Sequence, residues 1–510
     1  MKLRNKPITS VTVFIFIAFS VFYISITRGH FIGTDEIALY QTTRSLWESG
    51  DLSISHINNT FQGRYGRYYS QYNPGQAIAA LPLYGLGKQT GTVLRSLDMG
   101  GWVQVFSGPS IGREPNRWGG DIEIFFVNLF NCFITALLCS VFFLFSVRTG
   151  TPPPWALLAT ALLGVTSYIA PFSTGFLQHS GEALLLLSAF YFLFVHRDTS
   201  KRMHLLFAGI LSGIMILFRL PSAIALPSLF FYLFLSMLRQ KKEARVPDSL
   251  LKCFILPVSV FSVPIFASFI LHLAINFLKF ETIWGKYNNE GFHTPLFKGL
   301  YGFLFSPGNS IFLFTPLLIL IPWTFRHFWK KYPLESLIVL GLSFSYLVLY
   351  GTYTSWHGLW SALGPRYLMP IVPLLLLPLG LWMSRMNKKV LLIVGLLAAV
   401  GLWVQLVHVA VNFAFVYHYE QYPDFQPPYG FLFIPDAAPL IAHMKAFFAG
   451  DFRVDMWVVN IYRHFGPERL MIVLIPLLSV FGWALWMLRK NYLRLHVDTS
   501  EIQHTDKDSV

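Results

Sequence analysis

The sequence predicts an all-α polytopic membrane protein of about twelve transmembrane helices, with a large first extracytoplasmic loop that carries interfacial helices. Three observations lead there. Hydrophobic residues make up 54% of the chain and charged residues only 13%, with a mean hydropathy of +0.52, a balance foreign to soluble domains. Apolar runs long enough to cross a bilayer recur from end to end. The net charge of +14 is spread between those runs and not over one face, which speaks against a nucleic-acid partner.

The first run, 8–27, follows Lys2, Arg4 and Lys6 and so imitates a secretory signal peptide. Its length, and the poor cleavage site Arg28-Gly29-His30, make it an uncleaved anchor. Further runs fall at 123–147, 153–172, 177–195, 204–219, 221–238, 252–275, 309–325, 334–352, 366–384, 390–412 and 470–488. The stretch 204–238 breaks at Arg219-Leu220-Pro221-Ser222, because proline disfavours helical geometry in the residue before it. Cys132, Cys139 and Cys253 all lie in apolar runs and suggest neither disulfides nor zinc.

Basic residues supply the orientation. With the N-terminus in the cytoplasm, every expected inner connection is basic, and these short segments hold more than half of the 39 Lys and Arg. Both termini are then cytoplasmic. The long polar segments 28–121, 276–308, 353–365 and 413–469 fall outside, and long loops in compact proteins usually carry function. Residues 1–495 read as a single transmembrane domain and 496–510 as a disordered tail. In the first outer loop, Gln76 to Gly87 is apolar but too short to span, so it is expected in the interface, as is a helix around Ser45-Leu46-Trp47.

Asp35 and Glu36 stand at the start of that loop, in a chain with only 25 acids. Ionisable groups inside membrane spans are costly and mark function. Here His179, Glu182, Arg219, His272, Arg366 and His408 all fall at the outer ends of their spans, and with His357 they outline a polar cavity open to the outside. Three motifs accompany them. The stretch Arg64-Tyr65-Gly66-Arg67 through Tyr72-Asn73-Pro74-Gly75 offers two guanidinium groups among tyrosines. A second, Phe280 to Tyr287, contains Lys286. In the third, Trp356 to Pro370, the turn Gly364-Pro365-Arg366 opens a span with an arginine, a phosphate-binding arrangement.

Together Asp35-Glu36, Tyr69 to Gly75, Arg219-Leu220-Pro221 and Gly364-Pro365-Arg366 resemble the GT-C superfamily of integral-membrane glycosyltransferases. The branch they are most similar to is family 39, which includes protein O-mannosyltransferases, aminoarabinose transferases and RgtA/B/C/D-like proteins. The resemblance implies a GT-C-like fold in the bacterial inner membrane, with an extracytoplasmic active site and a polyprenyl-phosphate sugar as donor. It further implies Asp35 as the catalytic acid. The acceptor would be a lipid, glycan or protein. Chemistry then assigns Asp35 as general base with Glu36 in support. Arg366, Arg64, Arg67, Lys286 and Arg219 are the phosphate-binding candidates. A divalent cation (Mg or Mn) bridging an acid to phosphate is a candidate cofactor. The alternatives are a multi-span transporter or lipid flippase, or a non-catalytic assembly factor. Against a transporter stand the one-sided polar residues and the lack of a visible repeat.

Overall fold

Apolar runs in a bilayer have no water to satisfy their backbone groups, so they close their hydrogen bonds as helices. The computed structural model describes residues 5–102, 122–244, 254–287, 291–358, 364–411, 430–450 and 454–505. Among these, nine helices are long and apolar enough to cross a membrane: Ile8–Ile26, Ile122–Arg148, His179–Thr199, Leu220–Gln240, Leu256–Phe280, Pro333–Thr352, Arg366–Met383, Lys388–Ala410 and Trp457–Tyr492. The chain is an integral membrane protein of all-α class.

Three expected spans take other forms. The run 153–172 divides into Pro153–Thr166 and Ile169–Phe172. The run 204–219 becomes Arg202–Phe218, of 17 residues, and the chain does break at Arg219. The run 309–325 is not one helix. It consists of a turn at Ile311–Phe314, a 3₁₀ segment at Pro316–Leu320 and a basic helix at Ile321–Lys331. Hydropathy counts apolar length, whereas Pro316 and Pro322 each remove a donor and cut the helical ladder. The last helix, Trp457–Thr505, is broken at Gly466 and runs on through most of the expected disordered tail. Residues 413–429 of the expected last outer loop lie outside the described residues.

Lipid tails are as apolar as leucine, so close backbone approach and polar contacts hold the bundle together. Helices Arg202–Phe218 and Leu256–Phe280 cross where Gly209 and Gly213 sit against the carbonyls of Phe261 and Pro264. A Cβ at Gly209 would collide with the Phe261 backbone, whereas Gly395 has open space around it. Gly209→Val should therefore lower the stability of the purified protein by about 1–3 kcal/mol through overpacking. Gly395→Ala should leave its melting temperature unchanged, and equal melting temperatures for the two variants would refute this crossing. At the bundle end remote from Asp35, Arg197 pairs with buried Glu335, which also accepts a hydrogen bond from the Tyr232 hydroxyl at 2.8 Å.

The first loop packs onto the other end of the bundle. After α1 (Asn5–Ile26) the chain turns into α2 (Thr34–Ser49). A small antiparallel sheet follows, in the order β1 (Ser53–Ile54), β3 (Tyr68–Ser70), β2 (Thr60–Gln62). Two further helices, α3 (Gly75–Ala79) and α4 (Leu81–Ser96), occupy the expected apolar stretch. The turn Asn73-Pro74-Gly75 docks this loop. Asn73 Nδ2 donates to the Ile216 carbonyl at 2.9 Å, and Gln178 Nε2 donates to the carbonyls of Asn73 and Phe218 at 3.2 and 2.5 Å. These amides satisfy carbonyls left open where helix Arg202–Phe218 ends.

Candidate active site

Asp35 lies in the first turn of α2, where the helix dipole favours a negative charge. One oxygen, Oδ1, accepts from Asn59 Nδ2 at 3.0 Å, and the other, Oδ2, accepts from Arg366 Nη1 at 3.3 Å. Asn59 reaches in from a left-handed turn at φ 69° and also donates to the Thr34 and Tyr72 hydroxyls, each at 3.3 Å. The Tyr72 hydroxyl accepts from Gln71 Nε2 at 3.0 Å and bonds the Asp35 carboxylate. Burial, and then the Asp35 charge, push its pKa well above the usual range, so it stays a proton donor. The Asp35 side chain keeps 23% of its surface exposed, against 10% for Arg366. A substrate can therefore reach the carboxylate.

Arg366 opens a 3₁₀ segment, Arg366–Ile371, and Gly364 at φ 110° makes the turn that leads into it. Arg366 Nη2 donates to the Tyr367 hydroxyl at 3.1 Å, and its guanidinium carbon lies 5.0 Å from the Tyr367 ring centre. The Arg219 guanidinium sits 4.8 Å from the same ring and 5.3 Å from Tyr350, which stacks on Tyr367 at 4.7 Å. Beyond Arg219 comes fully buried Glu182, whose Oε2 accepts from Arg219 Nη1 at 3.3 Å and whose Oε1 accepts from Tyr346 at 2.9 Å. A chain of charges and tyrosines thus leads inward from Asp35 to Glu182. The buried His179 ring lies 5.5 Å from Tyr367, and neither of its nitrogens has a partner among the described residues. Buried His357 lies beyond the spans. Burial and then the Arg366 charge pull its pKa down to about 3, so it is neutral at physiological pH.

Glu36 differs from its neighbour. Its Oε2 accepts from the backbone N–H groups of Ile32 and Gly33 at 2.9 and 3.1 Å, and its Oε1 accepts from Phe176 N at 2.7 Å. Both oxygens are thus engaged by backbone, and the side chain is buried. Gly175 leaves room for this approach, since a Cβ there would strike Oε1. Glu36 pins the start of α2 to the 167–178 connection and so aims Asp35. A glutamine there would turn its amide NH₂ against backbone donors. Glu36→Gln should cost about 1–3 kcal/mol of stability and lower turnover in step with unfolding. Full stability with lost turnover would instead make Glu36 a direct participant.

The other expected phosphate ligands are engaged elsewhere. Arg67 pairs with Asp51 at 2.5 Å across the small sheet, and Arg64 lies 3.8 Å from Glu281. Lys286 donates to the Gln62 carbonyl at 2.9 Å. His272 pairs with Asn276 at 3.1 Å, while His408 bonds the Val404 carbonyl at 2.7 Å and packs 4.8 Å from His443. Part of the Trp356 to Pro370 motif, 359–363, lies outside the described residues. As for a bridging cation, Glu36 Oε2 already accepts two backbone N–H groups and its Oε1 one, and Asp35 holds Asn59 and Arg366. No group of three or more His, Cys, Asp or Glu suited to a metal occurs among the described residues.

Two contributors escaped the sequence reading. Asn59 carried no signal beyond an asparagine suited to left-handed turns. Lys279, buried in helix Leu256–Phe280, donates to the Tyr72 carbonyl at 3.2 Å and has no carboxylate partner among the described residues. A rule flagging ionisable residues inside spans finds it once the span is drawn past residue 275.

Fold and sequence comparison narrow the class to an all-α polytopic membrane protein, one stretch of which matches a glycosyltransferase family model. More particularly, residues 122–266 match the family "dolichyl-phosphate-mannose-protein mannosyltransferase". That segment contains His179, Glu182 and Arg219 but neither Asp35 nor Arg366. Among solved structures, the chain is similar to ArnT from Cupriavidus metallidurans bound to undecaprenyl phosphate, at 15% identity and a TM-score of 0.46. It is also similar to the same protein in the apo state, at 14% identity and a TM-score of 0.47. Each comparison covers 95% of this chain and 76% of the other. No curated protein matches the chain.

Proposed function

We propose that the protein transfers a sugar from a polyprenyl-phosphate donor to an acceptor at the extracytoplasmic face of a bacterial inner membrane. The observation that carries this reading is the pair of partly exposed Asp35 and buried Arg366, joined at 3.3 Å at one end of the bundle. Such a pair offers a base for an acceptor hydroxyl or amine beside a cation for phosphate. In the reaction, the acceptor atom forms its bond to the sugar C1 while the bond from C1 to the phosphate oxygen breaks. The acceptor proton goes to Asp35, and the polyprenyl phosphate leaves with the bonding electron pair.

Arg366 receives the developing phosphate charge, with Arg219 behind it across the Tyr367 ring. Lys279 stands beside Tyr72, donating to its carbonyl at 3.2 Å. Because Arg366 holds Asp35 in the free protein, an arriving phosphate competes for the guanidinium and frees the carboxylate to act. The phosphate itself is the leaving group, so the chemistry needs no nucleotide.

The test reconstitutes purified protein in nanodiscs with synthetic polyprenyl-phosphate sugars and an extract of candidate acceptors, and measures release of polyprenyl phosphate. Wild-type protein should release it, and Arg366→Gln should reduce release about 100-fold or more, the effect of removing one preorganised charge donor. Undiminished release by the Arg366 variant would refute the proposed role. A comparison of lipid-linked sugars and surface glycans between a deletion strain and its parent identifies sugar and acceptor.

A further inference from the structure

A crevice of 710 Å³ lies between α1, helix Pro153–Thr166 and the last helix, far from Asp35. Phe22 and Val165 line its end toward Asp35, with Phe481 and Ala161 along its walls. Every lining residue is apolar except Arg489 and Tyr492, which stand together at one end. That end is the one remote from Asp35. The last helix runs antiparallel to α1, with Trp457 bonding the Thr27 carbonyl near Asp35 and Trp483 packing on Phe14 further down. Arg489 has no carboxylate partner among the described residues, and its neighbour Lys490 lies 5.0 Å from the Trp486 ring.

We infer that this crevice holds one anionic glycerophospholipid, with an acyl chain along Ala161 toward Phe22 and the phosphate on Arg489 and Tyr492. The geometry and charge both favour that occupant. An apolar trough left empty forfeits the dispersion contacts of its walls, and only an acyl chain is abundant in the bilayer and matches the lining. Arg489, without a carboxylate partner among the described residues, lies where a headgroup would sit, in register with the basic ends of the bundle, and favours a negative headgroup. The polyprenyl donor is a poorer match. Its phosphate belongs beside Arg366, and the crevice offers no polar group at that end.

Native mass spectrometry of the delipidated full chain, titrated with equal amounts of phosphatidylglycerol and phosphatidylcholine, tests this. Wild-type protein should retain one phosphatidylglycerol about fivefold more readily than phosphatidylcholine, as expected for one basic residue at an anionic headgroup. Arg489→Gln, at an exposed position that folding tolerates, should bind the two lipids equally. Ala161→Trp should lose both, with circular dichroism in phosphatidylcholine reporting that it has folded. Equal retention of the two lipids by wild type, a preference that survives Arg489→Gln, or displacement by equimolar decaprenyl phosphate would each overturn the assignment.

Discussion

Asp35→Asn should abolish sugar transfer, with a fall of about 10³-fold or more, while the protein still inserts and folds. The magnitude is that of general-base catalysis removed from a site with no second free carboxylate among the described residues. Asparagine is isosteric, so its carbonyl oxygen can keep the bond from Asn59 Nδ2. The charge partner of Arg366 is lost, but the Asp35 side chain is 23% exposed. Water then screens part of that loss, and the stability cost should be about 1 kcal/mol or less. Transfer and melting temperature, measured on the same preparation, separate the two effects. Near-wild-type transfer would remove Asp35 from the mechanism. A collapse of stability alongside activity would recast it as a structural acid.

The largest effect on stability should come from the pair deeper in the bundle. Glu182 is fully buried and its two oxygens are met by Arg219 and Tyr346. Arg219→Met leaves that carboxylate without a counter-charge in a low-dielectric setting, at a cost of about 3–5 kcal/mol. Glu182→Gln combined with Arg219→Met should recover most of it, because the isolated charge, and not the missing bond, is what destabilises. Melting temperatures and elution profiles in detergent report both variants. A double variant no more stable than the single one would show that the two side chains do not act as a pair.

Much of this was legible in the sequence where the signal is local. The scarcity of charge and the long apolar runs announce membrane helices, and Pro221 announces the break at Arg219. Grouping the ionisable residues by span end flagged Glu182, Arg219 and Arg366 individually. The partners were not legible, because they depend on contacts between residues far apart in the chain. Nothing near Glu36 in sequence says that Phe176 N will occupy one of its oxygens, so it read only as a support to Asp35, with the means of that support left open. Apolar length concealed the two prolines that break 309–325, and a span boundary drawn short excluded Lys279. Arg64, Arg67 and Lys286 illustrate the converse. Cations in a suggestive motif found other partners, Asp51, Glu281 and the Gln62 carbonyl, two of them more than 200 positions away, instead of the central acid.

The pairing of Asp35 with Arg366 also has a consequence in time. The two residues are 331 positions apart, and the Glu36 anchor joins positions 140 apart. At ribosomal speeds of about 5–20 residues per second, the first contact waits roughly 17–66 s and the second roughly 7–28 s after the acids are made. For that interval the nascent chain carries its acid without the arginine that completes the site. A ribosome that stalls anywhere in those 331 positions leaves behind an inert bundle.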